Sequence, residues 1–114
     1  MKSYQIIVTP DAEADLAEIR DYIAYKLRSP ETAIEYLEDL KSEIQKLSHR
    51  GTSIAPVPEE PWHSRGLRKV TAKKFYIYYL VREDVAAVFV MNVIYTGRDQ
   101  IKALREKLNL HLEQ

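Results

Sequence analysis

The 114-residue sequence has no cysteine and no net charge, 17 basic residues standing against 17 acidic ones. Without cysteine there is no disulfide framework and no thiolate metal site. Its histidines, His49, His63 and His111, are scattered without ligand spacing, so no metal and no cofactor is expected. No apolar run approaches the roughly 20 residues that a membrane span needs. The chain opens on a strand-like run rather than on a charged-then-apolar leader, which makes the cytoplasm the expected location. Repeats and low-complexity segments are also missing.

What is present is the composition of an ordinary soluble globule, 46% apolar and 30% charged. At this length the expectation is one domain spanning residues 1–114, with a single core that needs no staples. The zero charge hides an asymmetry. Residues 1–50 carry 7 Lys/Arg against 10 Asp/Glu, whereas residues 51–114 carry 10 against 7. Such a split suggests one acidic, solvated half and one face able to meet phosphate.

Tyr4–Val8 reads as a short strand. Thr9-Pro10 is an N-cap with proline at the first helical position, and Ala12, Leu16, Ile19, Ile23 and Leu27 follow at helical spacing. Ser29-Pro30 repeats the start signal, and Ala33, Leu37, Leu40, Ile44 and Leu47 form a second stripe. Two amphipathic helices on so short a link predict an antiparallel helical hairpin over about 10–48. A loop with Pro56, Pro58 and Pro61 follows, in which Trp62 is either a lid on the core or a contact for a partner. Strands are predicted near Leu67–Thr71, at Phe75–Val81 and at Val85–Ile94, a sheet region of about 67–95. Ile101, Leu104 and Leu108 predict a C-terminal helix over about 99–110. The order β-α-α-β-β-β-α defines an α+β domain with the hairpin packed on a small antiparallel sheet.

The richest stretch runs from Arg65 to Asp99. Between Arg65 and Arg82 there are six Lys/Arg and no acid, on a segment that turns into strand. That is cationic chemistry laid on a small sheet, and it points to a polyanion or an acidic partner. Arg65, Lys69, Lys73 and Lys74 are the candidates for holding nucleic-acid phosphates. Tyr22, Tyr36 and Tyr79 read as packing at the edge of the core.

The element order, with Ala14-Asp-Leu16, Gly66-Leu-Arg-Lys69, Phe75-Tyr-Ile-Tyr-Tyr79 and Val93-Ile-Tyr-Thr-Gly-Arg-Asp99, resembles the RelE/ParE superfamily of bacterial type II toxins. The resemblance covers roughly Tyr4 to Asp99. It implies a twisted antiparallel sheet with the hairpin on one face and a concave basic surface on the other. It also implies growth arrest, neutralised by a cognate antitoxin in a hetero-oligomer. RelE-like members cut mRNA on the ribosome, whereas ParE-like members poison DNA gyrase without hydrolytic chemistry of their own.

Metal-free RNA cleavage needs a group to activate a 2′-hydroxyl, one to stabilise the phosphorane and one to protonate the leaving oxygen. Arginine suits the second task because its fork grips phosphate and stays charged. The resemblance therefore marks Arg68, Tyr95 and Arg98 as catalytic candidates, Arg98 standing at the sheet corner where both branches carry arginine. Tyr95 stands where the family often has histidine. Tyr76 and Leu104 replace an arginine and a tyrosine of RelE-like nucleases. The acid-free basic segment and the fold's commoner activity tip the expectation toward ribosome-dependent mRNA cleavage; the residue matches favour the ParE branch, with gyrase inhibition as the alternative.

Overall fold

In the computed structural model, which describes residues 3–112 and their side chains through Leu108, the expected order of elements is present. β1 (Gln5–Val8) leads into α1 (Pro10–Leu27), followed by α2 (Pro30–Gln45) and the single turn α3 (Leu47–Arg50). Then come β2 (Arg68–Ala72), β3 (Phe75–Arg82), β4 (Ala87–Tyr95) and α4 (Gln100–Leu112). No helix among the described residues is long and apolar enough to cross a membrane.

The two helix starts are built as the sequence indicates. Thr9 Oγ1 accepts the Ala12 amide at 3.3 Å, and Ser29 Oγ accepts the Thr32 amide at 3.3 Å, with Pro10 and Pro30 at the first turn. Between the helices Arg28 takes the left-handed conformation, φ 52°, and reverses the chain at once. Leu27 ends 56% exposed rather than in the stripe, because the reversal carries the last turn of α1 past the edge of the core.

The sheet order is β1-β4-β3-β2. β2, β3 and β4 are antiparallel, but β1 runs parallel to β4, so the sheet is mixed rather than wholly antiparallel. Tight turns force β2–β3 and β3–β4 into antiparallel pairs. No turn joins β1 to β4, and the chain returns to that edge through the hairpin. β4 also begins two residues later than expected, because Glu83–Val85 coils into a 3₁₀ turn closed by left-handed Ala86.

Two apolar layers sandwich this sheet. On one face Leu16, Leu37, Leu40 and Ile44 of the hairpin meet Ile77, Tyr79, Val90 and Val93. On the other, Leu104 and Leu108 of α4 and the loop residue Trp62 pack on Tyr78 and Ile94. This second layer corrects the expectation of an open concave basic face: α4 and the proline-rich loop cover it. Trp62, 1% exposed, is the lid on the core and not a partner contact, the structure deciding between the two roles its loop position allows.

A buried carboxylate holds the layers in register. β1 stops at Val8, so β4 beyond Val90 has no strand on that edge. Asp15 of α1 fills the gap. Its Oδ2 accepts the Val93 amide and Asn92 Nδ2, each at 2.9 Å, and its Oδ1 accepts Lys107 Nζ of α4 at 2.7 Å. Beside these contacts β4 carries an extra residue, Met91, where Tyr78 faces Asn92 and Tyr79 faces Val90.

Candidate functional site

The basic residues of the Arg65–Asp99 stretch do not share one face. Strand alternation places Arg68 with Val70 and Ala72 on the hairpin side, where Arg68 Nη1 donates to the Gly51 carbonyl at 3.2 Å. Tyr79 Oη donates to the same carbonyl at 2.8 Å, and a Cβ at Gly51 would lie in van der Waals contact with the Tyr79 ring, at 3.4 Å. Arg68 is thus a half-buried strut under the end of the hairpin, its Nε buried with no hydrogen-bond partner. Lys69 points to the opposite face, its ammonium 4.1 Å from the centre of the Tyr76 ring. Arg65 is exposed in the loop before β2.

Lys73, Lys74, Tyr95 and Arg98 do come together, at the end of the sheet remote from Arg68. Lys73 takes φ 57° in the β2–β3 turn, and the Lys74 carbonyl accepts the Thr96 amide at 2.9 Å, tying that turn to the Tyr95–Arg98 corner. Tyr95 pairs with Phe75, which pairs with Ala72. From Ala72 back to Arg68 is about 13 Å along the strand, with roughly 10 Å more across two strand spacings to Tyr95. Arg68 and Arg98 therefore cannot grip one phosphate in this structure.

The corner itself is tightly built. Gln100 Nε2 donates to the carbonyls of Tyr95 and Arg98, at 2.9 and 2.8 Å, while its Oε1 accepts the Tyr78 hydroxyl. Asp99 caps α4 through the Lys102 amide and is not the partner of Arg98. Arg98 instead meets Glu106 at 3.5 Å, both side chains about half exposed. So exposed a pair is worth under about 1 kcal/mol and leaves the guanidinium open to a partner. A Cβ on Gly97 would lie 2.3 Å from the Tyr95 ring, so only glycine lets that ring fold over the corner.

Beside the corner lies an apolar cleft of about 190 Å³. Ile23, Tyr36 and Phe75 are its deeper residues, and Tyr22, Leu27 and Tyr95 are its exposed ones. Phase-locked aromatic contacts shape it: Phe75 meets Tyr36 and Tyr95 edge-on, at 6.2 and 5.9 Å between ring centres. Lys26 and Lys74 stand at its rim, neither in an ion pair among the described residues, and no acid lines it. Lys73 nearby is held by Asp39 at 3.0 Å, and that hydrogen bond raises its pKa and keeps it charged.

The tyrosines most strongly perturbed are the wrong ones for proton transfer. Burial pushes Tyr79 up to about 12 and raises Tyr78 further still. Both are sealed in the two cores. Tyr95, the candidate proton donor, is about half exposed, with no carboxylate or histidine among its hydrogen-bond partners. His63 uses Nδ1 on the Val57 carbonyl at 2.8 Å to brace its loop. The side chain of His111 lies outside the described residues.

A family model described as the ParE toxin of the type II toxin–antitoxin system, parDE, matches residues 6–100. The chain belongs to this family. No curated relative matches the ParE-family chain. Among solved structures it is similar to the chromosomal ParDE toxin–antitoxin system from P. aeruginosa. The TM-score is 0.70 at 22% identity, covering 83% of this toxin and 98% of that chain. It is also similar to the toxin–antitoxin complex RelBE2 from Mycobacterium tuberculosis, at TM-score 0.53 and 16% identity, covering 82% and 98% of the respective chains. The helical hairpin packed on a small sheet, which the resemblance implied, is therefore the fold of this toxin.

Sequence reasoning missed several residues of the ParE-family chain that the structure makes prominent. Asp15 sits in one of the motifs that carried the resemblance, yet nothing local says that its carboxylate reaches a strand 77 residues away. Gln100 looks like any surface residue at a helix start. Tyr22 was expected to pack at the core edge, but it is 63% exposed on the cleft wall. The available signal was Tyr22, Tyr25 and Lys26 clustered where the first apolar stripe ends: too many rings for a solvated last turn.

Proposed function

We propose that this toxin arrests growth by binding DNA gyrase rather than by cutting mRNA, and that a cognate antitoxin neutralises it in a cytoplasmic complex. The observation that carries the reading is the separation of the candidate groups. Arg68 is engaged with the Gly51 carbonyl under the hairpin, a sheet length away from Tyr95 and Arg98. Phosphorane stabilisation and leaving-group protonation must act within hydrogen-bond reach of one phosphate. What remains together is a cluster suited to gripping a protein surface: exposed rings beside Lys26 and Lys74.

Antitoxin partnership is supported by the family and by the neighbours, both described as parts of toxin–antitoxin assemblies. An acidic antitoxin segment over Lys74 and Arg98 would mask the cluster. The test is brief induction in a bacterium with plasmid supercoiling and mRNA 5′ ends measured together. Relaxed or cleaved plasmid with intact mRNA is expected. Codon-phased new mRNA ends with normal supercoiling would instead establish the ribosome-dependent nuclease.

A further inference from the structure

We infer that the cleft between the end of α1 and the Tyr95 corner is the site that grips the toxin's target. Its occupant is an acidic segment of the target protein that inserts one bulky apolar side chain. The inference rests on the reading of this chain as a protein-binding inhibitor and names the surface that does the binding.

Three observations carry it. First, the cleft is concave and almost wholly apolar, yet Tyr22, Leu27 and Tyr95 are left 63%, 56% and 48% exposed around it. Large rings beside a pocket are the anchors and receptors of protein interfaces. Second, Lys26 and Lys74 stand on its rim with no acid among its lining, so the charge complement is a carboxylate-bearing segment. Third, the walls are fixed in advance. Gly97 leaves room for the Tyr95 ring, and Gln100 holds the backbone beneath it. A preformed receptor loses little entropy on binding.

The same surface argues against a nucleobase as occupant. A base carries donors and acceptors around its edge, and burying these in an apolar pocket leaves them unpaired. An aromatic or leucine side chain has no such groups. Stacking on the exposed rings alone stays possible for a single strand, and the test includes it.

The test uses purified full-length toxin with Tyr22→Ala, and separately the charge-reversed pair Lys26→Glu with Lys74→Glu. All three positions are exposed, so the fold is retained, checked by an unchanged thermal midpoint. Binding is measured to purified gyrase, to the purified antitoxin and to a poly-uridine single strand. Expected is at least a tenfold loss of gyrase affinity in each variant, and for the charge pair the difference from wild type narrows at high salt, which screens the contacts of Lys26 and Lys74. Antitoxin affinity should fall less than gyrase affinity. Equal gyrase binding by wild type and variants overturns the inference and leaves the gyrase reading standing. A loss confined to the antitoxin overturns it by assigning the cleft to that partner. A loss confined to poly-uridine overturns it in favour of nucleic acid. Failure of the wild type itself to bind gyrase sinks the functional reading instead.

Discussion

Replacing Asp15 tests how the three layers are locked. The carboxylate is 6% exposed and holds three donors from two other elements. Asp15→Ala leaves the Val93 amide and the Asn92 side-chain amide unpaired at a bare sheet edge, at about 1–3 kcal/mol each. Lys107 is 25% exposed and can turn to water, so its share is discounted to about 1 kcal/mol or less. The sum is about 2–7 kcal/mol, and the roughly 3–5 kcal/mol typical of breaking one partner out of a buried pair lies at its middle. Against an ordinary domain stability of about 5–15 kcal/mol this is a large fraction.

Urea unfolding followed by circular dichroism reads it directly, and the thermal midpoint should fall by very roughly 12–20 °C. Asp15→Asn should cost about 2 kcal/mol, because the amide oxygen still accepts from Val93 while the amide nitrogen faces the Lys107 ammonium. Lys107→Met should cost about 1 kcal/mol or less, and in the Asp15→Ala background almost nothing. A loss under about 1 kcal/mol for Asp15→Ala would refute the edge-capping argument. Equal costs for Asp15→Asn and Asp15→Ala would refute the part assigned to the Val93 amide.

Other outcomes follow from the same structure. Gly97→Ala should displace the Tyr95 ring and abolish growth arrest while the thermal midpoint stays within a few degrees; tyrosine ring shifts in NMR spectra and a growth assay check both halves. Arg68→Met should leave growth arrest intact and change stability by about 1 kcal/mol or less, since it gives up one carbonyl contact but removes an unpaired buried Nε. Loss of arrest with a retained fold would return Arg68 to the catalytic list. Alkali should unfold the protein early. Tyr79 keeps its proton in the native state up to about pH 12, whereas in the unfolded chain it titrates near 10, so the native form holds more protons in between. Stability then falls as pH rises, by up to about 1.4 kcal/mol per pH unit for each such tyrosine. Tyr78, also raised, adds to the slope. Denaturation midpoints between pH 9 and about 12 test this, and a flat profile would contradict it.

Much of the scaffold was legible because its signals are local. Thr9-Pro10 and Ser29-Pro30 announce two helices through capping chemistry that needs only three or four neighbouring residues. The stripe from Ala33 to Leu47 is buried throughout, since periodicity alone dictates which face meets the core. Leu27 failed the same rule because a stripe does not report where the layer beneath it ends. The candidate site was less legible. Lys73, Lys74, Tyr95 and Arg98 do gather, but Arg68 and Lys69 are adjacent in sequence and opposite in space, which is what strand alternation does to neighbours.

The sequence by itself determined the helical hairpin, the strand order along the chain and the family. Each rests on spacing or on local chemistry that survives without knowledge of the neighbours. Only the tertiary structure decided that β1 runs parallel to β4, that α4 closes the second face, and that Asp15 seals the edge left by a short strand. It alone turned the basic stretch from one cationic face into a strut at one end and the wall of an apolar cleft at the other. The reason is physical: charge and hydropathy are carried by residues one at a time, but which of them converge depends on pairing across the chain. That pairing places Tyr22 and Lys26 beside Lys74 and Tyr95, about fifty to seventy residues further along.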